Sequence, residues 1–257
     1  MLNQELLDSF ASRVQHASNK IVHDVPSDVK RGRFLDIGCG VGNGLVAAVR
    51  EGFQTAVGID RDLHEFEWFK PEMFDALALA NGANPDQSIL LECDLFQSAF
   101  APRSFDCVFM LDSIEHVPAP DRFIEKAAGY VADNGVLLID TCPLYYSKAG
   151  HHLFNHFDPA EFPWVHLRKD FRDLVASKAV DAWSMDRFEE LNKTTIDHIL
   201  TSIEAHGLQI ERLHRPIPSE EDWAVLEKHR ENLDLSLIPD IKLLFEDWIL
   251  LVARRRT

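Results

Sequence analysis

The chain predicts an α/β protein built on a parallel sheet, and three observations carry that expectation. Short apolar runs recur along residues 31–145, separated by stretches of helical character. The first run breaks into a dense glycine turn, Gly38, Gly40, Gly42 and Gly44. Later runs end in an acidic residue. Strands alternating with helices imply right-handed crossovers and a sheet covered on both faces.

The first element sits in Phe34-Leu-Asp-Ile-Gly-Cys-Gly-Val-Gly-Asn-Gly44. Phe34, Leu35 and Ile37 read as a buried strand, and Val41 with Leu45 to Val49 as the helix beyond the turn. A strand, a glycine turn and a helix let backbone approach a ligand closely, and the helix N-terminus offers free N–H groups. A dinucleotide site wants G-x-G-x-x-G. Here its third glycine falls on Asn43, and the pattern is instead Asp36-x-Gly38-x-Gly40-x-Gly42. The second element, Thr55 to Asp60, is an apolar strand ending in a carboxylate 24 residues after Asp36. Such a carboxylate can accept from two ribose hydroxyls, or cap a helix whose start reads as Asp62 to Phe69. The third element, Ile89 to Leu95, ends in Asp94. The fourth runs from Phe105 through Leu111 and Asp112 to Glu115, His116 and Pro118. The fifth, Gly135 to Thr141, is entered through the turn Asp133-Asn134-Gly135.

Taken in order, these elements resemble the class I S-adenosylmethionine-dependent methyltransferases over residues 30–145. The resemblance implies a three-layer Rossmann-like sheet of six parallel strands and an antiparallel seventh inserted between the fifth and sixth. It implies S-adenosyl-L-methionine as cofactor. Asp36, Gly38, Cys39 and Gly40 would lie at its methionine end, Asp60 and Arg61 at the ribose, Asp94 and Leu95 at the adenine. Leu111 and Asp112 would line the pocket beside it. No Asn-Pro-Pro-Tyr-like motif of amino-base enzymes follows strand four; Asp112-Ser113-Ile114-Glu115 stands there.

The rest of the chain completes the sheet. Residues 1–30 read as an N-terminal helical segment with Leu2, Leu6, Phe10 and Val14 on one stripe, placed to cover the cofactor site or to pack on the sheet. Thr194 to His206 reads as a helix stopped by Gly207, with Thr194 its N-cap. Leu208 to Leu213 and Trp248 to Ala253 read as the last two strands, and residues 216–246 between them as a helical insertion. The core is thus 31–142 with 194–257.

Residues 143–193 are longer than a crossover loop and leave the carboxyl end of strand five, so they are expected to roof a substrate pocket as an inserted lid. The lid holds His151, His152, His156 and His166 with Tyr145, Tyr146, Phe154, Phe157, Phe162 and Trp164. The aromatics would line a pocket or form the lid's own core. Histidine suits proton removal from a hydroxyl near neutrality, so His116, His151, His152 and His156 are the candidate bases; the alternative is structural bonding to backbone. His152 and His156 would share a face if helical, with Asp158 and His166 as further ligands, but Pro159 and Pro163 argue against it and no metal is expected.

A net charge of −16 argues against a broad nucleic-acid footprint. No apolar run is long enough to span a membrane, and no signal peptide is apparent at the start. Cys39, Cys93, Cys107 and Cys142 form no C-x-x-C pair and read as buried free thiols of a cytoplasmic protein. Arg254-Arg255-Arg256 reads as a solvated tail. The expectation is a methyltransferase for a small molecule, at oxygen, with no nucleic-acid or membrane partner. A macromolecule methyltransferase and a non-catalytic cofactor-binding module are the rivals. The sequence leaves the oligomeric state open.

Overall fold

The structure, a computed structural model, describes residues 4–64 and 69–256. Its centre is a seven-stranded sheet. The strands are β1 (Arg33–Ile37), β2 (Thr55–Asp60), β3 (Ser88–Glu92), β4 (Phe105–Leu111), β5 (Val131–Thr141), β6 (Gln209–His214) and β7 (Ile249–Arg254). Their spatial order is β3-β2-β1-β4-β5-β7-β6. β1 pairs in parallel with β2 and β4, and β4 with β5. β7 runs antiparallel to both β5 and β6. The expected six-plus-one topology is what the chain adopts.

Strand periodicity explains why these runs are apolar throughout. Phe34, Phe109, Leu138 and Val252 face one cluster, packed under helices α1 (Gln4–Asp24), α2 (Asn43–Arg50) and α3 (Phe74–Ala80). Leu35, Val108, Leu137 and Leu251 face the other, under α4 (Pro120–Tyr130) and α7 (Ile196–Ala205). Successive side chains alternate between faces, and both faces are covered. The edge strands leave apolar residues exposed, Ile89 and Leu91 on β3 and Leu213 on β6.

Two further helices, α5 (Phe171–Ser177) and α6 (Ala182–Glu189), lie in the long segment after β5, and α8 (Glu220–His229) lies between β6 and β7. These late residues pack on the segment after β5 more than on the sheet. Tyr146, Trp164 and Leu167 share a buried cluster with Leu226, Leu233, Leu244 and Phe245. Trp164 Nε1 donates to the Leu244 carbonyl at 3.0 Å, and Lys148 pairs with Asp222 at 2.5 Å.

Several local expectations need correction. Asp133-Asn134-Gly135 is a bulge inside β5, since the register jumps from Phe105 opposite Val131 to Cys107 opposite Val136. Asn134 takes φ 62° there, and its N–H donates to Arg255 O at 2.9 Å. Arg254 and Arg255 are no tail. Arg254 is a buried member of β7 paired with Asp28 and Glu211, and Arg255 donates to the carbonyls of Val131 and Ala128. The N-cap of α7 is Thr195, whose hydroxyl accepts from His198 N. Cys142 is exposed and Cys93 half-buried, because both sit where a strand leaves the sheet. Leu2 and residues 65–68 of the helix start expected at Asp62 to Phe69 lie outside the described residues; the next helical residues described begin at Pro71. Among the described residues no helix is long and apolar enough to cross a membrane.

Candidate active site

The carboxyl ends of β1, β2 and β4 open into a cleft of two lobes that share Gly38, Gly40 and Asp112. The first lobe, about 500 Å³, is lined by Asp36, Cys39, Asn43, Leu111 and, from α1, Ser12, Arg13 and His16. The second, about 290 Å³, is lined by Asp60, Arg61, Asp94, Leu95, Phe96, His116 and Phe123 among others. Ligands bind at the carboxyl ends of parallel strands in open α/β sheets.

Glycines build the floor because neighbours occupy the space a side chain would need. Gly38 has φ 76°, and a Cβ on it would come within 2.6 Å of Ser113 Cβ. A Cβ on Gly44 would overlap the Asp36 carboxylate. Asp36 is buried, and burial together with nearby Asp60 pushes its carboxyl up to about 8. Asp60 fixes the loop: one oxygen accepts from Gly40 N at 2.8 Å, the other from Asp62 N at 3.1 Å. Asp94 takes Phe96 N at 2.7 Å on one oxygen, so it holds its own turn while it lines the cleft. Leu95 is buried beside it. Arg61 lines the second lobe and pairs with Glu190 at 2.7 Å, near the end of α6.

Asp112 closes the floor in a left-handed conformation, φ 47°. Burial raises its carboxyl, while the Cys142 N–H donated to it opposes the rise. Beyond it, the short turn Ile114–His116 carries Glu115 and His116. Glu115 is buried, bonded to Thr141, and pushed up by burial to about 8. His116 faces the cleft, its Nε2 3.9 Å from Glu115 Oε1, and burial drives it down to about 3.

The four candidate histidines are not gathered at the cleft. His116 lines it, and His152 stands edge-on to His116 with ring centroids 5.0 Å apart. His152 has φ 53° and bonds the Pro143 carbonyl, so it shares no helical face with His156. His156 pairs with Asp181 at the start of α6. His151 is fully buried against Leu153 N. Among the described residues no group of three His, Cys, Asp or Glu side chains has the geometry of a metal site. The lid aromatics mostly pack on each other, with Phe154 exposed.

Asn192, at the far end of the segment 143–193, donates to the Ile114 and Val117 carbonyls at 2.7 and 2.8 Å and so ties that segment to the turn bearing His116. The sequence reading missed Ser12, Arg13 and His16; their signal was the polar flank of α1 beside its apolar stripe. It also missed Phe96 and Phe123, an edge-to-face pair lining the second lobe.

Residues 10–213 match a family model described as a methyltransferase domain. The chain belongs to the S-adenosylmethionine-dependent methyltransferases. It is 30% identical over 118 residues to a ubiquinone biosynthesis O-methyltransferase of Neisseria meningitidis, covering 46% of this chain and 47% of the relative. It is 34% identical over 114 residues to a tRNA U34 carboxymethyltransferase of Aeromonas hydrophila, covering 43% of this chain and 32% of the relative. These matches thus span about half of one curated relative and a third of the other. An S-adenosylmethionine dependent methyltransferase from Mesorhizobium loti superposes with TM-score 0.54 at 19% identity, over 97% of this chain and 100% of that one. The family's cofactor is S-adenosylmethionine, and the cleft fits it on its own evidence. Two carboxylates at strand ends flank a floor too close-packed for side chains.

Proposed function

We propose that this protein transfers a methyl group from S-adenosylmethionine to a small molecule, at a hydroxyl oxygen, in a cytoplasmic setting. The reading rests on one observation above all: a neutral imidazole, His116, stands at the wall of the lobe that also holds Asp60 and Asp94. The O-methyltransferase relative and the net charge of −16 support a small acceptor over a polyanionic one. The free cysteines suit a reducing compartment.

When bound, the cofactor supplies an activated methyl group on a positively charged sulfur. Asp36 would hold the ammonium end, Asp60 the ribose, and Asp94 with Leu95 and Phe96 the adenine. The chain's remaining tasks are to align the acceptor, exclude water and take a proton. His116 accepts the hydroxyl proton as the new bond forms. Glu115 lies 3.9 Å from that ring; burial raises it to about 8, so it is largely protonated near neutrality, and a positive imidazolium beside it would draw it towards its carboxylate form. The lid, tied down by Asn192, covers this corner.

The test is calorimetric titration with S-adenosylmethionine, S-adenosylhomocysteine and NAD, with Asp60→Ala alongside, followed by a screen of hydroxylated acceptors and of unmodified tRNA. Micromolar binding of both adenosyl ligands only, weakened by Asp60→Ala, with product from a small acceptor, bears the reading out. Binding without any small-molecule product and with methylated tRNA replaces the acceptor class. Absence of adenosyl binding overturns the reading.

A further inference from the structure

Beneath the lid, backbone partners fix the tautomers of two buried histidines. Leu153 N–H donates to His151 Nδ1 at 2.9 Å. That nitrogen therefore carries a lone pair, and the proton of the neutral ring is on Nε2. His166 Nε2 lies 2.5 Å from the Tyr145 carbonyl. A carbonyl only accepts, so His166 is protonated on Nε2 and keeps a lone pair on Nδ1. Both rings are out of water, at 0% and 4% exposure. Burial, the largest cause in each case, holds both neutral, at about 4 for His151 and about 3 for His166.

One donor and one acceptor are left over. Among the described residues neither His151 Nε2 nor His166 Nδ1 has a hydrogen-bond partner. The two ring centroids are 5.9 Å apart. With hydrogen bonds of about 2.8 Å on each side, a single oxygen can span neighbouring rings at that separation. Buried polar groups are rarely left unmet. The pair is selective in its chemistry. A carboxylate or carbonyl only accepts, and an ammonium only donates. A hydroxyl oxygen does both.

We propose that His151 and His166 form a hydroxyl-recognition site under residues 143–168, His151 donating to and His166 accepting from one buried oxygen. That oxygen belongs to a water molecule or to a hydroxyl of the methyl acceptor. The second source rests on the function proposed above. It places a further hydroxyl of the acceptor one residue from His152, whose ring meets His116 at the cleft.

The experiment is long-range ¹H–¹⁵N correlation of the imidazoles in the full chain with S-adenosylhomocysteine, titrated with catechol, phenol and anisole. Expected are Nε2–H tautomers for both rings, a slowly exchanging His151 Hε2, and a His166 Nδ1 shifted as a hydrogen-bonded lone pair. His166→Gln keeps a donor for the Tyr145 carbonyl and removes the ring lone pair; it should speed exchange of His151 Hε2. His151→Asn keeps an acceptor for Leu153 N–H and removes the donor; it should return His166 Nδ1 to the free lone-pair position. Movement of both signals with catechol or phenol, and not with anisole, assigns the oxygen to an acceptor. A hydrogen-bonded Nδ1 that no phenol moves, with a long-lived water contact to His151 Hε2, assigns it to water. The proposal is overturned if either ring has the other tautomer, or if His166 Nδ1 stays at the free position throughout. These signals exist in the wild-type protein whether or not it transfers methyl groups, and whether or not either variant folds.

Discussion

The cleft at the strand ends and the segment 143–193 are built by opposite means. In the cleft, the reactive positions are the ends of strands, and each is placed by sheet register and by backbone donors within a few residues. Asp62 N–H on Asp60 and Phe96 N–H on Asp94 are of this kind. In residues 143–193, turns and short helices replace strands, and several side chains are placed by partners far away in sequence. Trp164 reaches Leu244, Lys148 reaches Asp222 and Asn192 reaches Ile114. The first is fixed within the sheet and its loops; the second depends on two distant segments folding together. Damage to the cleft should therefore register in cofactor affinity whatever the acceptor, and damage to the lid in the acceptor alone.

The largest expected effect sits where the two regions meet. His116→Ala should lower kcat roughly 10²- to 10⁴-fold, the usual worth of a positioned base, with cofactor affinity unchanged by calorimetry. An equal loss of cofactor binding would show that the turn at His116 belongs to the cleft's scaffold. Next, Asp60→Ala frees the Gly40 and Asp62 N–H groups and should weaken S-adenosylhomocysteine binding by on the order of 100-fold. Gly44→Ala should do the same by displacing the Asp36 carboxylate, with little change in the lid. Asn192→Ala leaves two carbonyls unmet and should cost about 1–3 kcal/mol in chemical denaturation, while the affinity for S-adenosylhomocysteine holds.

Smaller effects come from protons. Asp36, raised to about 8, is largely protonated at pH 7. Seating a cation beside it should expel up to about one proton, read as a buffer-dependent binding enthalpy. Stability should also depend on pH in two windows. His116, His151 and His166 are depressed from 6.5 to about 3, 4 and 3, so the unfolded chain binds more protons between those values and 6.5, and stability falls as pH drops. Asp36 and Glu115 are raised from 3.8 and 4.5 to about 8, so the folded chain binds more protons there and stability falls as pH rises. Three histidines outweigh two carboxyls below 6.5, and only the carboxyls act above it. Thermal unfolding should then peak near about pH 6.5, with cofactor flattening the alkaline side.

How far the chain could be read before folding follows from the same contrast. The apolar runs, the glycine turn and the acidic strand ends are local, so the strand order's parallel half, the crossovers and the positions Asp36, Asp60 and Asp94 were legible from spacing. The antiparallel β7 was legible through family resemblance. Arg254 and Arg255 were misread because their partners, Asp28, Glu211 and two carbonyls of α4 and β5, are remote in sequence. The lid histidines were equivalent as letters. Tertiary structure separated them by the group each meets: Leu153 N for His151, the Pro143 carbonyl for His152, the Asp181 carboxylate for His156, the Tyr145 carbonyl for His166. The sequence by itself determined the parallel strands and the carboxylates at their ends, since periodicity and short spacings act within one βα unit. Only the tertiary structure decided which imidazole faces the cleft and which tautomer each holds. Burial and the single hydrogen bond each ring makes in the folded segment govern both.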